Sequence, residues 1–290
     1  MAVGIWDALA IAAKSLTYAT TLGAAGAVWF LRYCHGLLAA ADRLRIRRFV
    51  LGSAVLSVFG GAAQLLIAAG SMSGTAAGML DTSLLHLVWH AGAGRDNAIR
   101  AVGLLLAALG MLSNRPAWPA LLGAALAATS YAWTGHARAL DAALPPLLLG
   151  VHLLGVAFWV GALVPLLMVA DNHDAARVAP ATARFGAAAL YVVAGMVAAA
   201  ACLLSMLLGG FVQLWSSGYG RFVMLKLGLV ALLLGLAAFN KWRLTPRLLA
   251  GNAAAVSGLR RSLRLELLLA ALIVGVTAAM TTIGGPPALD

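Results

Sequence analysis

Stretches of about twenty apolar residues recur along the whole chain, and this pattern restricts the possible folds more than any other feature. A helix needs about 20 apolar residues to cross the hydrocarbon core of a bilayer. Only 10% of the 290 residues are charged, whereas soluble domains have about 25% charged residues. The sequence therefore predicts an all-α membrane protein rather than a soluble globule. We delimit eight transmembrane helices, at 8–32, 49–70, 97–113, 117–135, 146–169, 186–209, 220–240 and 266–284.

The distribution of positive charge predicts how these helices are oriented. The formal net charge is +11, but no basic stripe with interleaved aromatic residues indicates a nucleic-acid partner. Loops on the cytoplasmic side of membrane proteins are enriched in Lys and Arg. With both termini outside, most basic residues lie on the inner side. The outer side then keeps Lys14, Arg95, Arg100, Arg138, Arg221 and Lys226.

Short sequence matches suggest that the chain consists of two similar halves. The matching positions are Gly94-Arg95 with Gly220-Arg221, Arg48-Phe49 with Arg184-Phe185, and Gly23 with Gly161. Transporters often bind their substrate between parallel repeats of this kind. We therefore predict two four-helix repeats, 1–143 and 144–290, in one membrane unit. The alternative is that apolar helices resemble one another by composition alone.

Two histidines in the long outer segment have a spacing that suits a metal site. His86 and His90 are four residues apart, and the preceding Asp81 can cap a short outer helix near 83–91. Both imidazoles then share one helical face and can bind one ion. The alternative is an interfacial helix with Trp89 at the headgroup level and histidines that only contact water.

Two further histidines lie on or near the same side of the membrane. His136 follows the fourth span and His152 lies inside the fifth. An ionisable group within a span usually faces a cavity or a partner. The alternatives are an ordinary loop residue for His136 and a histidine hydrogen-bonded to a neighbouring helix for His152. Because four histidines converge on one side, the sequence favours a metal site there.

Softer donors accompany the histidine pair. Met72 and Met79 lie in the same outer segment, and thioether sulfur suits Cu(I), whereas imidazole suits Cu, Zn, Fe and Ni. The alternative is that both methionines fill apolar gaps. Asp81 is either an oxygen ligand or the helix cap.

At the inner ends of the helices, Cys34, His35 and His173 form a candidate exit site for a metal ion. The alternative is that they are juxtamembrane residues in contact with water. Cys34 and Cys202 show no CxxC spacing, so we expect no disulfide framework. Lys14 and Lys226 lie within the outer halves of spans, and Lys14 either snorkels outward or lies beside the cation site.

Several longer segments are specific enough to indicate a family. They are YGRFVMLKLGL at 219–229, FNKWRLTPRL at 239–248, LRRSLRLELLL at 259–269 and VHLLGVAFWVGALVPLL at 151–167. Together with the GHA triplet at 135–137, they resemble the copper resistance protein D (CopD) family of bacterial inner-membrane proteins.

This resemblance implies a protein that moves copper, as Cu(I) or Cu(II), from periplasm to cytoplasm. It also implies an inner-membrane location, with surrounding lipids and a CopC-like periplasmic copper carrier as partners, so the outer side to which the charge distribution assigns both termini is the periplasm. It supports His136 and His152 as site residues, because both lie in matching segments. His86 and His90 depend on their spacing alone.

Two other functions remain open at this stage. One is a haem-binding, cytochrome-b-like electron-transfer protein, since paired histidines in a helical bundle can ligate haem. The other is a copper-delivery or assembly factor that binds copper without transporting it. An enzyme is disfavoured, because no serine or cysteine triad, P-loop or HExxH motif is present.

Overall fold

The computed structural model describes residues 4–112, 118–133, 143–208 and 212–284, and all regular secondary structure in these residues is helical. The α-helices are α1 (Ile5–Cys34), α2 (Ala40–Ser73), α3 (Thr82–Val88), α4 (Gly94–Gly110), α5 (Trp118–Thr129), α6 (Leu144–Val160), α7 (Leu163–Asn172), α8 (Ala175–Leu208), α9 (Gln213–Ser216), α10 (Gly218–Phe239), α11 (Thr245–Leu249) and α12 (Ala253–Ile283). Two π-helical turns, Trp89–Ala93 and Asn240–Leu244, join α3 to α4 and α10 to α11.

Among the described residues, five helical segments are long and apolar enough to cross a membrane. They are Ala40–Ser73, Leu144–Asn172, Ala175–Leu207, Gly218–Leu249 and Ala253–Ile283. The helices α4 and α5 have 17 and 12 residues, fewer than the roughly 20 that a full crossing needs. The protein is therefore a multi-pass α-helical membrane protein. A helix covers most of each of the eight apolar stretches, but the eight-span, two-repeat arrangement stays a prediction.

Helix α1 lies in the middle of the bundle. It packs against α2, α4 and α5 and also against α6, α7, α8 and α12. Between Ala24 and Leu31 almost every side chain is buried, and most of these residues are small. Small residues allow helices in a membrane to approach closely. The first helix therefore contributes to the core of the whole molecule.

The closest helix crossing joins α1 to the end of α6. A Cβ atom added to Gly26 would lie 2.0 Å from the carbonyl oxygen of Ala157, and one added to Gly161 would lie 2.3 Å from that of Leu22. Only glycine permits backbones to meet at such distances. The two backbones are thus in direct contact, and this crossing leaves no passage for an ion.

Candidate functional site

The short outer helix begins at a side-chain cap. The Asp81 carboxylate accepts hydrogen bonds from the backbone N–H groups of Ser83 (2.8 Å) and Leu84 (3.3 Å) and from the Ser83 hydroxyl. The Ser83 hydroxyl contributes most, and together these bonds hold the pKa of Asp81 below its usual value. Asp81 therefore acts as the cap of α3, one of its two predicted roles.

The structure brings His86 and His90 together on the exposed surface of this segment. Their ring centroids are 4.0 Å apart, and Nδ1 of His90 lies 2.8 Å from the carbonyl oxygen of His86. Because a carbonyl oxygen only accepts hydrogen bonds, Nδ1 of His90 donates, and in the neutral imidazole Nε2 then keeps a lone pair. A histidine that ligates a metal typically has its other ring nitrogen bonded in this way.

His90 lies in a tight bend. The π-helical turn Trp89–Ala93 contains Gly92 at a φ of 100°, a left-handed conformation that favours glycine. Through this bend the chain passes from α3 into α4. Single π-helical turns are frequent at functional sites because they redirect a side chain locally. The bend therefore fixes where the histidine pair sits relative to the bundle.

His152 occupies a different environment, inside α6. Its Nδ1 lies 3.3 Å from the carbonyl oxygen of Met196 on α8, so the same reasoning leaves Nε2 as the atom with a lone pair. Lys226 on α10 is close enough for its charge to act on the imidazole. A copper ion at His152 would therefore lie near the side chain of Lys226.

Two of the other predicted outer ligands, Met72 and Met79, have different surroundings. Met72 is 55% exposed at the end of α2, whereas Met79 packs at Gly70, where an added Cβ would lie 2.7 Å from its Cγ. His136 lies outside the described residues. Within 4–112, 118–133, 143–208 and 212–284, no three His, Cys, Asp or Glu side chains meet as a metal site. The four-histidine site therefore stays a prediction.

At the inner end, His173 has a partner that the sequence did not indicate. Its Nε2 lies 2.6 Å from Oδ2 of Asp42, which is 1% exposed at the start of α2. Arg45 is 3.8 Å from the other carboxylate oxygen. Cys34, another residue of the predicted exit site, is buried at the end of α1. His173 thus links the segment between α7 and α8 to α2, which leaves only its Nδ1 for a metal.

Removing His173 should destabilise the protein. In His173→Ala the Asp42 carboxylate stays buried with only the longer contact to Arg45, which we expect to cost up to about 3 kcal/mol. The double variant His173→Ala/Asp42→Ala should recover part of this loss, because neither partner is then left unsatisfied. The free energy of unfolding of the single and the double variant can be measured in detergent micelles. A double variant less stable than the single one would contradict this role.

A polar network in the N-terminal half surrounds Arg100, which is only 4% exposed. Its guanidinium lies 4.1 Å from the centroid of the Tyr131 ring and donates to Asn97 (2.8 Å) and Ser130 (3.3 Å). The Tyr131 hydroxyl is 3.0 Å from that of Thr21. Neither the charge distribution nor the repeat match predicted a partner for Arg100. Its position in an apolar stretch was the signal that it has partners inside the bundle.

Lys14 forms a hydrogen bond to the last long helix. Its Nζ donates a hydrogen bond of 3.0 Å to the carbonyl oxygen of Thr281, in the last turn of α12. Carbonyl groups in the last turn of a helix lack intrahelical partners, and a lysine can satisfy them. Lys14 therefore joins the first long helix to the last one.

Two protein-family models match the chain. Residues 5–145 match "Copper resistance protein D-like, N-terminal domain", and residues 179–280 match "Copper resistance protein D". No curated protein and no solved structure matches the chain significantly. The first match includes α1 to α5 with the histidine pair, and the second includes α10 and α11 together with most of α8 and α12.

Proposed function

The chain belongs to the copper resistance protein D family, and we propose that it imports copper from the periplasm to the cytoplasm of a bacterium. The observation that carries this proposal is the exposed pair His86 and His90, with Nε2 of His90 available as a ligand atom. We place the outer copper site at this pair together with His136 and His152. Met72 and Met79 are additional candidate ligands.

The proposed topology has eight spans in two four-helix repeats, 1–143 and 144–290, with both termini in the periplasm. Contacts between distant residues support this arrangement. Lys14 meets Thr281, and both are assigned to the outer side. His173 meets Asp42 and Arg264 meets Asp171, and these are assigned to the inner side. A reporter enzyme that works only in the periplasm should therefore be active when it is fused to the C-terminus.

The proposed route leads from the outer histidines to the inner end near Cys34, His35 and His173. It has to avoid the crossing of Gly26 and Gly161, where the backbones touch. An inside-negative membrane potential favours the entry of a cation by about 2.3 kcal/mol for each elementary charge and each 100 mV. A CopC-like carrier in the periplasm is the proposed donor. Neither matched family description mentions haem, so the electron-transfer alternative gains no support.

Copper uptake into proteoliposomes tests the proposal. With an inside-negative potential, vesicles containing the protein should accumulate copper, whereas protein-free vesicles should not. His152→Ala should reduce the uptake toward the protein-free level, because the buried ligand is lost. Cys202→Ala is the matched control, since Cys202 is an exposed side chain of a neighbouring helix. Copper binding without accumulation would refute import and favour the copper-delivery alternative.

A further inference from the structure

Glu266 is the only glutamate of the sequence, and the proposed copper route makes no use of it. It lies on α12, where the last apolar stretch begins, and its side chain is 2% exposed. An ionised carboxylate in apolar surroundings costs far more free energy than a neutral carboxyl group. A side chain of this type at this position therefore needs either a cation or a proton.

The groups that contact Glu266 are neutral. Asn240 donates from Nδ2 to Oε1 of Glu266, and the Ser262 hydroxyl lies 3.5 Å from the same oxygen. Asn240 is itself 8% exposed and belongs to the π-helical turn after α10. These contacts provide hydrogen bonds but no positive charge.

Basic side chains on α12 and on the segment that carries Asn240 bind elsewhere or are exposed. Lys241 donates to the carbonyl oxygen of Gly186 at 2.8 Å, Arg260 to that of Ala170 at 2.7 Å, and Arg264 to Asp171 at 3.1 Å. The side chains of Arg243, Arg247 and Arg261 are exposed. Glu266 takes part in none of the ion pairs among the described residues. A single carboxylate with one amide and one hydroxyl also offers too few oxygens for a metal cation that prefers six or more.

The Asn240 side chain has an unsatisfied atom beside this carboxyl group. Oδ1 of Asn240 is buried and has no hydrogen-bond partner, which is unfavourable for a buried polar atom. A protonated Glu266 carries an O–H donor, and an Asn240 amide turned by half a rotation would present Oδ1 to it as the acceptor. The two amide orientations thus suit the two states of the carboxyl group.

We propose that Glu266 and Asn240 form a buried proton-binding site in the inner half of the C-terminal helices. At rest Glu266 is neutral. When copper approaches, the carboxyl O–H bond breaks, the proton passes to water on the cytoplasmic side, and Asn240 donates to the resulting carboxylate, whose charge offsets that of the ion. This second step rests on the proposed import of copper, whereas the resting proton site does not.

Infrared spectroscopy of the purified protein tests the resting site without copper. Because the chain has one glutamate, labelling glutamate with ¹³C marks Glu266 alone. Near neutral pH we expect a label-sensitive C=O band of a protonated carboxyl group. The band should be absent in Glu266→Gln and shifted in Asn240→Leu. A label-sensitive carboxylate band in its place would overturn the proposal.

Uptake measurements test the link to copper. Glu266→Gln imitates the neutral carboxyl, so it should keep the thermal stability and the copper binding of the wild type. Its copper uptake should nevertheless fall toward the level of protein-free vesicles, while the Ser257→Ala control, at an exposed residue of the same helix, stays close to wild type. Wild-type uptake by Glu266→Gln would refute the coupling. If the wild type itself accumulates no copper, the import proposal fails, and the infrared result still decides whether the proton site exists.

Discussion

Replacing both His86 and His90 with alanine should remove copper binding at the outer surface. The structure brings these two imidazole rings together, with their centroids 4.0 Å apart. Loss of an outer-shell partner of a metal ligand already lowers affinity by about 10–100-fold, so loss of two ligands should exceed this. Competition for copper with a chromophoric chelator measures the effect on purified protein.

The neighbouring residue Leu87 provides the control for this experiment. Leu87 is 52% exposed on the same short helix and has no metal-binding atom, so Leu87→Ala should keep the wild-type affinity. If the double-histidine variant binds copper as tightly as Leu87→Ala does, the capture site does not lie on α3. His152 and the methionines would then be the candidates to examine.

Replacing Gly161 with alanine should have the largest effect on stability. The added Cβ would lie 2.3 Å from the carbonyl oxygen of Leu22, which belongs to the backbone of α1 and cannot rotate away. Overpacking of a close contact costs about 1–3 kcal/mol, and occasionally more. The temperature at which the protein unfolds in detergent should fall clearly.

Gly228→Ala tests whether the loss comes from this crossing rather than from the change of residue type. Gly228 lies in α10, and an added Cβ there meets no atom within 4 Å. Alanine favours a helix over glycine by about 1 kcal/mol, so this variant should be equally stable or slightly more stable. Equal destabilisation in both variants would show that the close contact between α1 and α6 does not contribute specifically to stability.

Features that depend on neighbouring residues could be predicted from the sequence. The apolar stretches coincide with helices because a transmembrane helix satisfies its backbone polar groups within its own segment. The cap at Asp81 and the shared face of His86 and His90 depend on residues at most four positions apart. Such patterns are visible in one chain without any knowledge of the fold.

Contacts between distant helices could not be predicted in this way. His173 and Asp42 are 131 positions apart, and nothing in the sequence near either residue identifies the other. Glu266 carried a usable signal, because an acidic residue in an apolar stretch needs a partner. The sequence did not reveal that Asn240 is this partner, since helix packing decides which polar groups meet. For the same reason the sequence did not reveal the close contact between Gly161 and Gly26.

The hydrogen bond between Lys14 and Thr281 has a consequence for biogenesis. The two residues are 267 positions apart, and chains are made and inserted from the N-terminal side. During synthesis the ammonium group of Lys14 therefore enters the membrane long before its acceptor exists. A nascent or truncated chain that lacks α12 presents an unsatisfied charge in its first helix. Correct assembly is thus completed only when the last helix arrives.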